Sequence, residues 1–221
     1  MTTIYWEAVA QMLYLKLGLT GDTRPLTATR KSPLSWPILM PEQLRRRVRL
    51  ELPAMRRKAE FLEAVRDSRA LHRKWVSPPS TADAYAEYVK RKDDERSVVF
   101  LLVDKESDEL AGVVNINEIV LGLFKSAYLG YYAFVPKERE GFMRAGLTQA
   151  INHAFRKMNL HRLEANIQPK NQRSISLVRS LGFRLEGFSP RYLKIAGRWR
   201  DHERWAILAE DWPSSTHARR R

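Results

Sequence analysis

The fold is decided by residues 128–183, in which extended and helical patterns alternate. The stretch opens with the apolar run YLGYYAFV at residues 128–135, which predicts a strand that Pro136 closes. A charged loop, KEREGFM at residues 137–143, leads into an amphipathic helix. A loop that enters a helix N-terminus beside a sheet edge is suited to holding a phosphate group.

The second part of this stretch repeats the same order of strand, turn and helix. The run RLEANI at residues 162–167 alternates between apolar and polar residues, as a strand does. The run NQRS at residues 171–174 opens another helix, since Asn171 can cap it, and LGF at residues 181–183 ends it. Two strands and two helices are therefore predicted side by side.

Composition is typical of one ordinary domain with a sizeable core, at 221 residues and 44% hydrophobic content. The chain has no cysteine, which excludes disulfides and thiolate chemistry and suits a reducing cytoplasm, where we expect the protein. No run is apolar for long enough to span a bilayer, and the five His are not spaced as a metal site. Neither a membrane nor a metal is expected.

The net charge favours anionic partners, because basic residues exceed acidic ones by 39 − 25 = 14. Residues 45–74 carry the clearest excess of Arg and Lys. Such a run is also typical of a solvated helix face. Nucleic acid and a phosphorylated cofactor both remain open as partners.

The segments before the decisive stretch predict helices and strands that flank it. Residues 4–17 predict a helix, and residues 19–44, rich in Thr, Pro and Ser, predict a linker. Residues 47–52 alternate as a strand, and Pro53 begins a predicted helix that runs to about Ser68.

Thr81 is suited to cap a further helix that runs to about Lys92. A meander of three strands follows, and a hairpin ends the domain. These strands are residues 97–103, 110–119 and 127–135, and the hairpin is residues 192–195 and 199–208.

In its motifs the chain resembles the GNAT acyltransferase superfamily, and most of all the branch of ribosomal-protein alanine or serine N-terminal acetyltransferases. The resemblance covers about Arg46 to Trp212 and rests on the order and spacing of short motifs. These are LGY at 129–131, GFM at 141–143, HRLEAN at 161–166, NQRS at 171–174, LGF at 181–183 and GRWRDH at 197–202.

The resemblance implies an α+β (mixed α/β) fold, in which a twisted, mixed sheet of about seven strands carries flanking helices. It places the acetyltransferase domain at residues 45–213. Residues 1–44 are then a helix and linker extension of unassigned role, and residues 214–221 are a basic tail.

Acetyl-CoA is the implied cosubstrate, bound where the strand ending at Val135 parts from the strand at 162–168. Its pantetheine amides would pair with the strand edge, and its pyrophosphate would lie on the N-terminus of the helix that begins near Gly141. Backbone N–H groups near Phe134 or Val135 would meet the charge on the thioester oxygen. The implied cofactor-binding residues are Phe134, Val135, Arg139, Gly141, Phe142, Met143, Arg144, Asn171 and Arg173.

The phosphate loop departs from the family pattern at two positions. Where the family has Gln or Arg and then often Gly, this chain has Glu138 and Arg139. A carboxylate beside a pyrophosphate repels it, and Arg139 must adopt the backbone conformation that glycine would have used. With Lys137 and Arg144 the loop keeps a net charge of +1. Anion binding is expected, and a weakened or lost site is the alternative.

Three side chains are candidates for catalysis. By the resemblance, Ser174 would protonate the departing CoA thiolate, while Val178 stands where many family members have a tyrosine. Glu164, on the polar side of its strand, and Glu118, at the end of another, are candidates for the base or for a substrate anchor. Each glutamate alone is more typical of a half-exposed strand carboxylate paired with arginine.

Asp201 and His202 resemble part of a relay, but adjacent strand residues point to opposite faces. Asp201 is interpreted as structural or as a substrate contact. Trp199 is interpreted as a cleft wall or as part of the core.

The predicted function is acetyl transfer from acetyl-CoA to a primary amine, with the N-terminal α-amino group of a ribosomal protein as the preferred acceptor. Small-molecule amines are a second acceptor class, which a surface of net charge +14 steers poorly. The other alternative is a GNAT-fold protein without turnover that binds ribosome or RNA through residues 45–74. Monomer and homodimer are both open.

Overall fold

The computed structural model describes residues 47–91 and 94–213. The predicted extension at residues 1–44 and the predicted tail at residues 214–221 lie outside these residues. None of the described helices is long and apolar enough to cross a bilayer. The strands are β1 (Val48–Glu51), β2 (Ser97–Asp104), β3 (Leu110–Val120), β4 (Ser126–Ala133), β5 (Arg162–Ile167), β6 (Arg184–Ile195) and β7 (Arg198–Leu208), and the helices are α1 (Lys58–Asp67), α2 (Arg69–His72), α3 (Ala82–Lys90), α4 (Phe142–Arg156) and α5 (Gln172–Ser180).

The seven described strands form one sheet in the order β1-β2-β3-β4-β5-β7-β6. All neighbouring pairs are antiparallel except β4 and β5, which run parallel because α4 crosses over between them. The predicted α+β fold with a mixed sheet is therefore confirmed.

The sheet is covered on both faces, as the continuous apolar run of β2 predicts. Phe100 and Leu102 face a core formed with α4 and α5, in which Leu147 is fully buried. The alternate residues Val99 and Leu101 face a second core formed with α1 and α3. The strands that position the site are thus held from both sides.

Helix boundaries follow the caps in the sequence, with one exception. Thr81 caps α3 through its hydroxyl, which accepts a hydrogen bond from the Ala84 N–H at 3.2 Å. The predicted helix start at Pro53 is wrong. Ala54 is extended (φ −143°, ψ 150°), so a 3₁₀ turn at Met55–Arg57 precedes α1 instead.

Helix α4 lies unusually close to the sheet at Gly146. A Cβ on this residue would lie 2.4 Å from a methyl group of Leu102, closer than packed atoms come. The helix that begins near Gly141 is therefore packed closely against β2, and a side chain at residue 146 would require Leu102 to move.

Candidate active site

Strands β4 and β5 pair over only part of their length. The register between their described residues runs from Ser126↔Arg162 to Tyr128↔Glu164 and then stops. We call this the paired half of the seam. Beyond it, in the parted half, residues 129–133 of β4 and 166–167 of β5 line a cavity of about 940 Å³. The predicted parting of these strands is present.

The cavity collects most of the predicted cofactor-binding residues. The helix-opening segments of α4 and α5 supply them: Arg139, Gly141, Met143, Arg144, Asn171 and Arg173. Ser174 also lines it. Phe142 does not, because its ring is buried in the core beneath the loop.

The loop before α4 has the backbone that a phosphate cradle requires. Arg139 (φ 71°) and Gly141 (φ 90°) are both left-handed, so Arg139 does take a conformation that favours glycine. No side chain caps α4 at Gly141, which leaves its first N–H groups without that partner. The positive end of the helix dipole faces the same place.

Ion pairs anchor the loop to the sheet. Lys137 contacts Asp104 at 3.1 Å and Glu109 at 2.8 Å. Asp104 has no exposed surface, and the hydrogen bond from Arg47 holds its pKa well below the usual range. Arg47 also lies 3.7 Å from Glu140, whose carboxylate is turned away from the cavity.

Glu138 behaves differently from Glu140. It lines the cavity, and its Oε2 is buried without a hydrogen-bond partner among the described residues. A carboxylate therefore does stand at the predicted phosphate site, as the sequence indicates. Of the two acidic residues in the loop, it is the one that faces the cavity.

Helix α5 places a hydroxyl pair at the parted half. Asn171 caps the helix, with its side-chain oxygen accepting from the Ser174 N–H at 3.3 Å. The Ser174 hydroxyl lies 2.5 Å from the Tyr131 hydroxyl, which β4 brings across the cavity. Burial raises the pKa of Tyr131 above its usual value, so this phenol stays protonated at neutral pH.

The backbone donors that the sequence suggests are already in use. The N–H of Phe134 donates to the Ala111 carbonyl, and the N–H of Val135 donates to the Ser68 hydroxyl, each at 3.0 Å. Since the N–H of Phe134 points to β3, alternation along the strand turns that of Ala133 toward the parted half. Phe134 and Val135 are therefore replaced by Ala133 as the candidate donor.

Two neutral histidines border the cavity. His72 donates from Nε2 to the Ala133 carbonyl at 2.7 Å, and burial lowers its pKa. His202 donates from Nδ1 to the Arg200 carbonyl at 2.9 Å, because a carbonyl only accepts. Burial lowers the pKa of His202 too, so its neutral ring carries a lone pair on Nε2.

The predicted catalytic carboxylates do not reach the cavity. Glu164 lies in the paired half and accepts a hydrogen bond from Arg162 at 2.8 Å. Glu118 is exposed and paired with Arg96. Neither lines the cavity, so both are held as strand carboxylates on arginine.

In the closing hairpin, the predicted position of Trp199 is wrong. Trp199 is 61% exposed and belongs neither to the core nor to the cavity wall. Asp201 is structural, accepting the Arg191 N–H at 2.7 Å. His202, on the opposite face, lines the cavity. Alternation separates the two as predicted, whereas the position of His202 on the cavity wall is not predicted by the sequence.

Comparison with known proteins defines the class. The model of the acetyltransferase (GNAT) domain family matches residues 47–184. The chain therefore belongs to the GNAT acetyltransferase family.

Within that family, the chain is similar to the ribosomal protein uS5-alanine N-acetyltransferase of Escherichia coli. The two are 41% identical over 113 residues, which are 51% of this chain and 58% of that relative, less than two thirds of its length. This chain is also 26% identical over 150 residues to spermidine N(1)-acetyltransferase of Vibrio cholerae. That match covers 67% of this chain and 86% of that protein.

Among solved structures, it resembles Mycobacterium smegmatis RimJ in complex with CoA-disulfide. The TM-score is 0.70 and the identity 27%, over 78% of this chain and 87% of that one. The branch predicted from the motifs is supported by these relatives.

Proposed function

We propose that this chain transfers the acetyl group of acetyl-CoA to the N-terminal α-amino group of a protein, with a ribosomal protein as the acceptor. One observation carries the proposal. The seam between β4 and β5 opens at Leu129, directly beside the uncapped N-terminus of α4 and a loop in left-handed conformation. An amide-bearing arm and a pyrophosphate need these two features next to each other.

The residues of this chain fit the cosubstrate. Gly141 and the first turn of α4 would hold the pyrophosphate, with Arg139 and Arg144 beside it. The edge of β4 in the parted half would accept the arm as an extra strand. Asn171 and Arg173 at the start of α5 would close the opposite side. The carboxylate of Glu138 repels the negative charge of the pyrophosphate, but the positive charges of Arg139 and Arg144 outweigh this repulsion.

We assign proton handling to two residues that line the cavity, His202 and Ser174. In the transfer, the amine nitrogen bonds to the carbonyl carbon, the carbon–sulfur bond breaks, and the amine loses a proton. We assign to His202 Nε2 the role of taking that proton, directly or through a water. The hydroxyls of Tyr131 and Ser174 share a hydrogen bond. We assign to Ser174 the delivery of a proton to the departing sulfur, with Tyr131 donating to the Ser174 oxygen as that proton leaves.

The charge on the thioester oxygen needs a preorganised donor. The N–H of Ala133 is our candidate, since alternation turns it into the parted half. His72 fixes the same peptide segment by donating to the Ala133 carbonyl. Its role is to hold the donor in place, so we treat it as a positioning residue.

The charge of the cavity favours a peptide over a polyamine acceptor. One described lining residue, Glu138, is a carboxylate, whereas five are cations: Lys137, Arg139, Arg144, Lys170 and Arg173. A polyamine needs several anionic partners, and among the described lining residues only Glu138 is one. A peptide N-terminus brings a single amine. The similarity to a spermidine acetyltransferase makes the polyamine the acceptor to test against.

The test combines binding with acceptor choice. Calorimetric titration with acetyl-CoA measures binding, and thiol release then measures turnover on peptides that begin with Ala or Ser. The control is each peptide with its α-amine already acetylated and an internal lysine retained. We expect binding, release with the open peptides and none with the blocked ones. Absence of acetyl-CoA binding, or turnover on spermidine without turnover on peptides, would overturn the proposal.

A further inference from the structure

Strands β6 and β7 continue past the end of β5 as a two-stranded ribbon. The described pairs between β5 and β7 end at Ile167↔Glu203, whereas β7 pairs with β6 as far as Ile195↔Arg198. We call residues 189–202 the ribbon. Its base borders the cavity, because His202 lines it. The ribbon therefore stands beside the entrance that a macromolecular acceptor would approach.

The ribbon carries positive charge that the rest of the described chain does not neutralise. It contains four exposed cations and one exposed acid, which gives 4 − 1 = +3. No carboxylate of residues 47–91 or 94–213 forms a salt bridge with the cations, which are Arg191, Lys194, Arg198 and Arg200. The acid, Asp201, is used by a backbone N–H.

The basic stretch at residues 45–74 is different. Within its described part, arginines of β1, of the 3₁₀ turn and of α1 form ion pairs with carboxylates: Arg47, Arg49, Arg56, Arg57 and Arg66. The remaining cations of its described part form no salt bridge with the described residues: Lys58, Arg69, Arg73 and Lys74. About half of the cations in this stretch are therefore paired. All four ribbon cations are unpaired among the described residues and lie within residues 189–202, so unneutralised charge is denser on the ribbon than on this stretch.

An aromatic side chain stands among the ribbon cations. Trp199 is 61% exposed and lies directly opposite Lys194 in the register. Phe188, just before the ribbon, is exposed too, and Leu193 is exposed on the opposite face, where it pairs with Arg200. By alternation, Trp199 and Lys194 share one face of the ribbon, and Arg198 and Arg200 lie on the other face. An indole beside Lys194, with two arginines on the reverse of a ribbon two strands wide, matches a nucleobase with a phosphate on either side.

We propose that the ribbon binds single-stranded nucleic acid. An unpaired base stacks on Trp199, one neighbouring phosphate lies on Lys194, and further phosphates lie on Arg198 and Arg200 of the other face. A duplex offers no such base. A second copy of this chain is disfavoured as occupant, because two ribbons of charge +3 repel each other. This inference does not depend on acetyl transfer.

The test is fluorescence anisotropy on the full chain at 50 and 150 mM KCl. The probes are a fluorescein-labelled 20-nucleotide RNA of mixed sequence, DNA of the same sequence, and the RNA annealed to its complement. We expect the single strands to bind more tightly than the duplex. Whether RNA or DNA binds better then identifies the natural source. Trp199→Ala should weaken single-strand binding on the order of 10-fold.

Charge is tested with a matched pair of double variants. Arg198→Gln with Arg200→Gln removes two ribbon cations, and Arg66→Gln with Lys90→Gln removes two exposed cations from α1 and α3. The ribbon pair should reduce the slope of log affinity against log salt by about 1.4, from roughly 0.7 per phosphate contact. The helix pair should change affinity less than about 2-fold. Thermal unfolding confirms that all variants fold.

Three results would overturn the inference. Equal losses in the two double variants would mean attraction by overall charge alone. Equal binding of duplex and single strand, with no effect of Trp199→Ala, would remove the stacking site. A change in sedimentation on Trp199→Ala, without a change in nucleic-acid affinity, would make the ribbon an interface between copies of this chain.

Discussion

The two halves of the β4–β5 seam use the same two strands in opposite ways. In the paired half, Tyr128 and Glu164 lie in register, and Glu164 is bound by Arg162. In the parted half the register ends, and Tyr131 and Asn166 line a cavity instead. The residue types are alike, but one set completes the sheet and the other faces open space.

This contrast shows where chemistry can reside in such a sheet. In the paired half, the backbone donors are hydrogen-bonded between the strands and Glu164 is bound by Arg162, so few groups remain available to bind a ligand. Where pairing stops, main-chain groups and side chains are available together. A substitution at the cavity should therefore affect catalysis more than a comparable substitution in the paired half.

The largest effect is expected for His202→Gln, which removes the candidate base. We expect kcat on a peptide to fall about 10²-fold. The pKa of His202 lies below its ordinary value, so the neutral base exists above that pKa and is lost as pH falls through it. The rate of the wild type should therefore decline at acid pH. We call this decline the acid limb of the pH profile, and the variant should lack it.

The matched control is His161→Gln. His161 lies just before the paired half and hydrogen-bonds the exposed Glu210. It should leave both kcat and the acid limb within about 2-fold of wild type. A variant of His202 that keeps the full rate and the same pH profile contradicts the assignment of the base.

Tyr131→Phe should lower kcat by about 10-fold, because it removes the 2.5 Å hydrogen bond that orients Ser174. The dissociation constant of acetyl-CoA should stay unchanged, since the ring remains. Tyr128→Phe, in the paired half, is the control and should change neither value. Equal kcat losses in the two variants would indicate a general effect on β4 and not proton transfer.

Much of the fold could be predicted from the sequence because local patterns determine it. The alternation at residues 162–167 and the Asn171 cap act within a few residues, and the structure confirms both. The conformation of Arg139 also followed from a local rule, since the family loop has glycine there. Such features need no knowledge of what packs on them.

The site was less predictable because it depends on register between distant segments. Ser174 and Tyr131 are 43 positions apart, so no motif joins them, although Val178 indicated that the expected tyrosine was missing. The direction of the Phe134 N–H is set by pairing with β3. The salt bridge that occupies Glu118 likewise forms with Arg96, 22 positions away.

Glu138→Gln tests whether the parted half holds an anion at the α4 N-terminus. Removing a carboxylate near a pyrophosphate is worth about 1 kcal/mol, so acetyl-CoA should bind about 5-fold more tightly in calorimetry. The gain should shrink at high salt. Glu140→Gln is the control, because that carboxylate lies on Arg47 and not at the cavity. Equal gains would place the pyrophosphate outside the loop.

The smallest effect is expected for Glu164→Gln in the paired half. Arg162 keeps its bond to Glu186, and a partly exposed ion pair contributes about 1 kcal/mol or less, so thermal unfolding should shift by only a few degrees. The kcat on a peptide should stay within about 2-fold of wild type. If kcat instead fell tenfold and the acid limb was lost, Glu164 in the paired half would be the base. The two halves could then no longer be divided into structure and chemistry, since a carboxylate held by arginine would be accepting the proton.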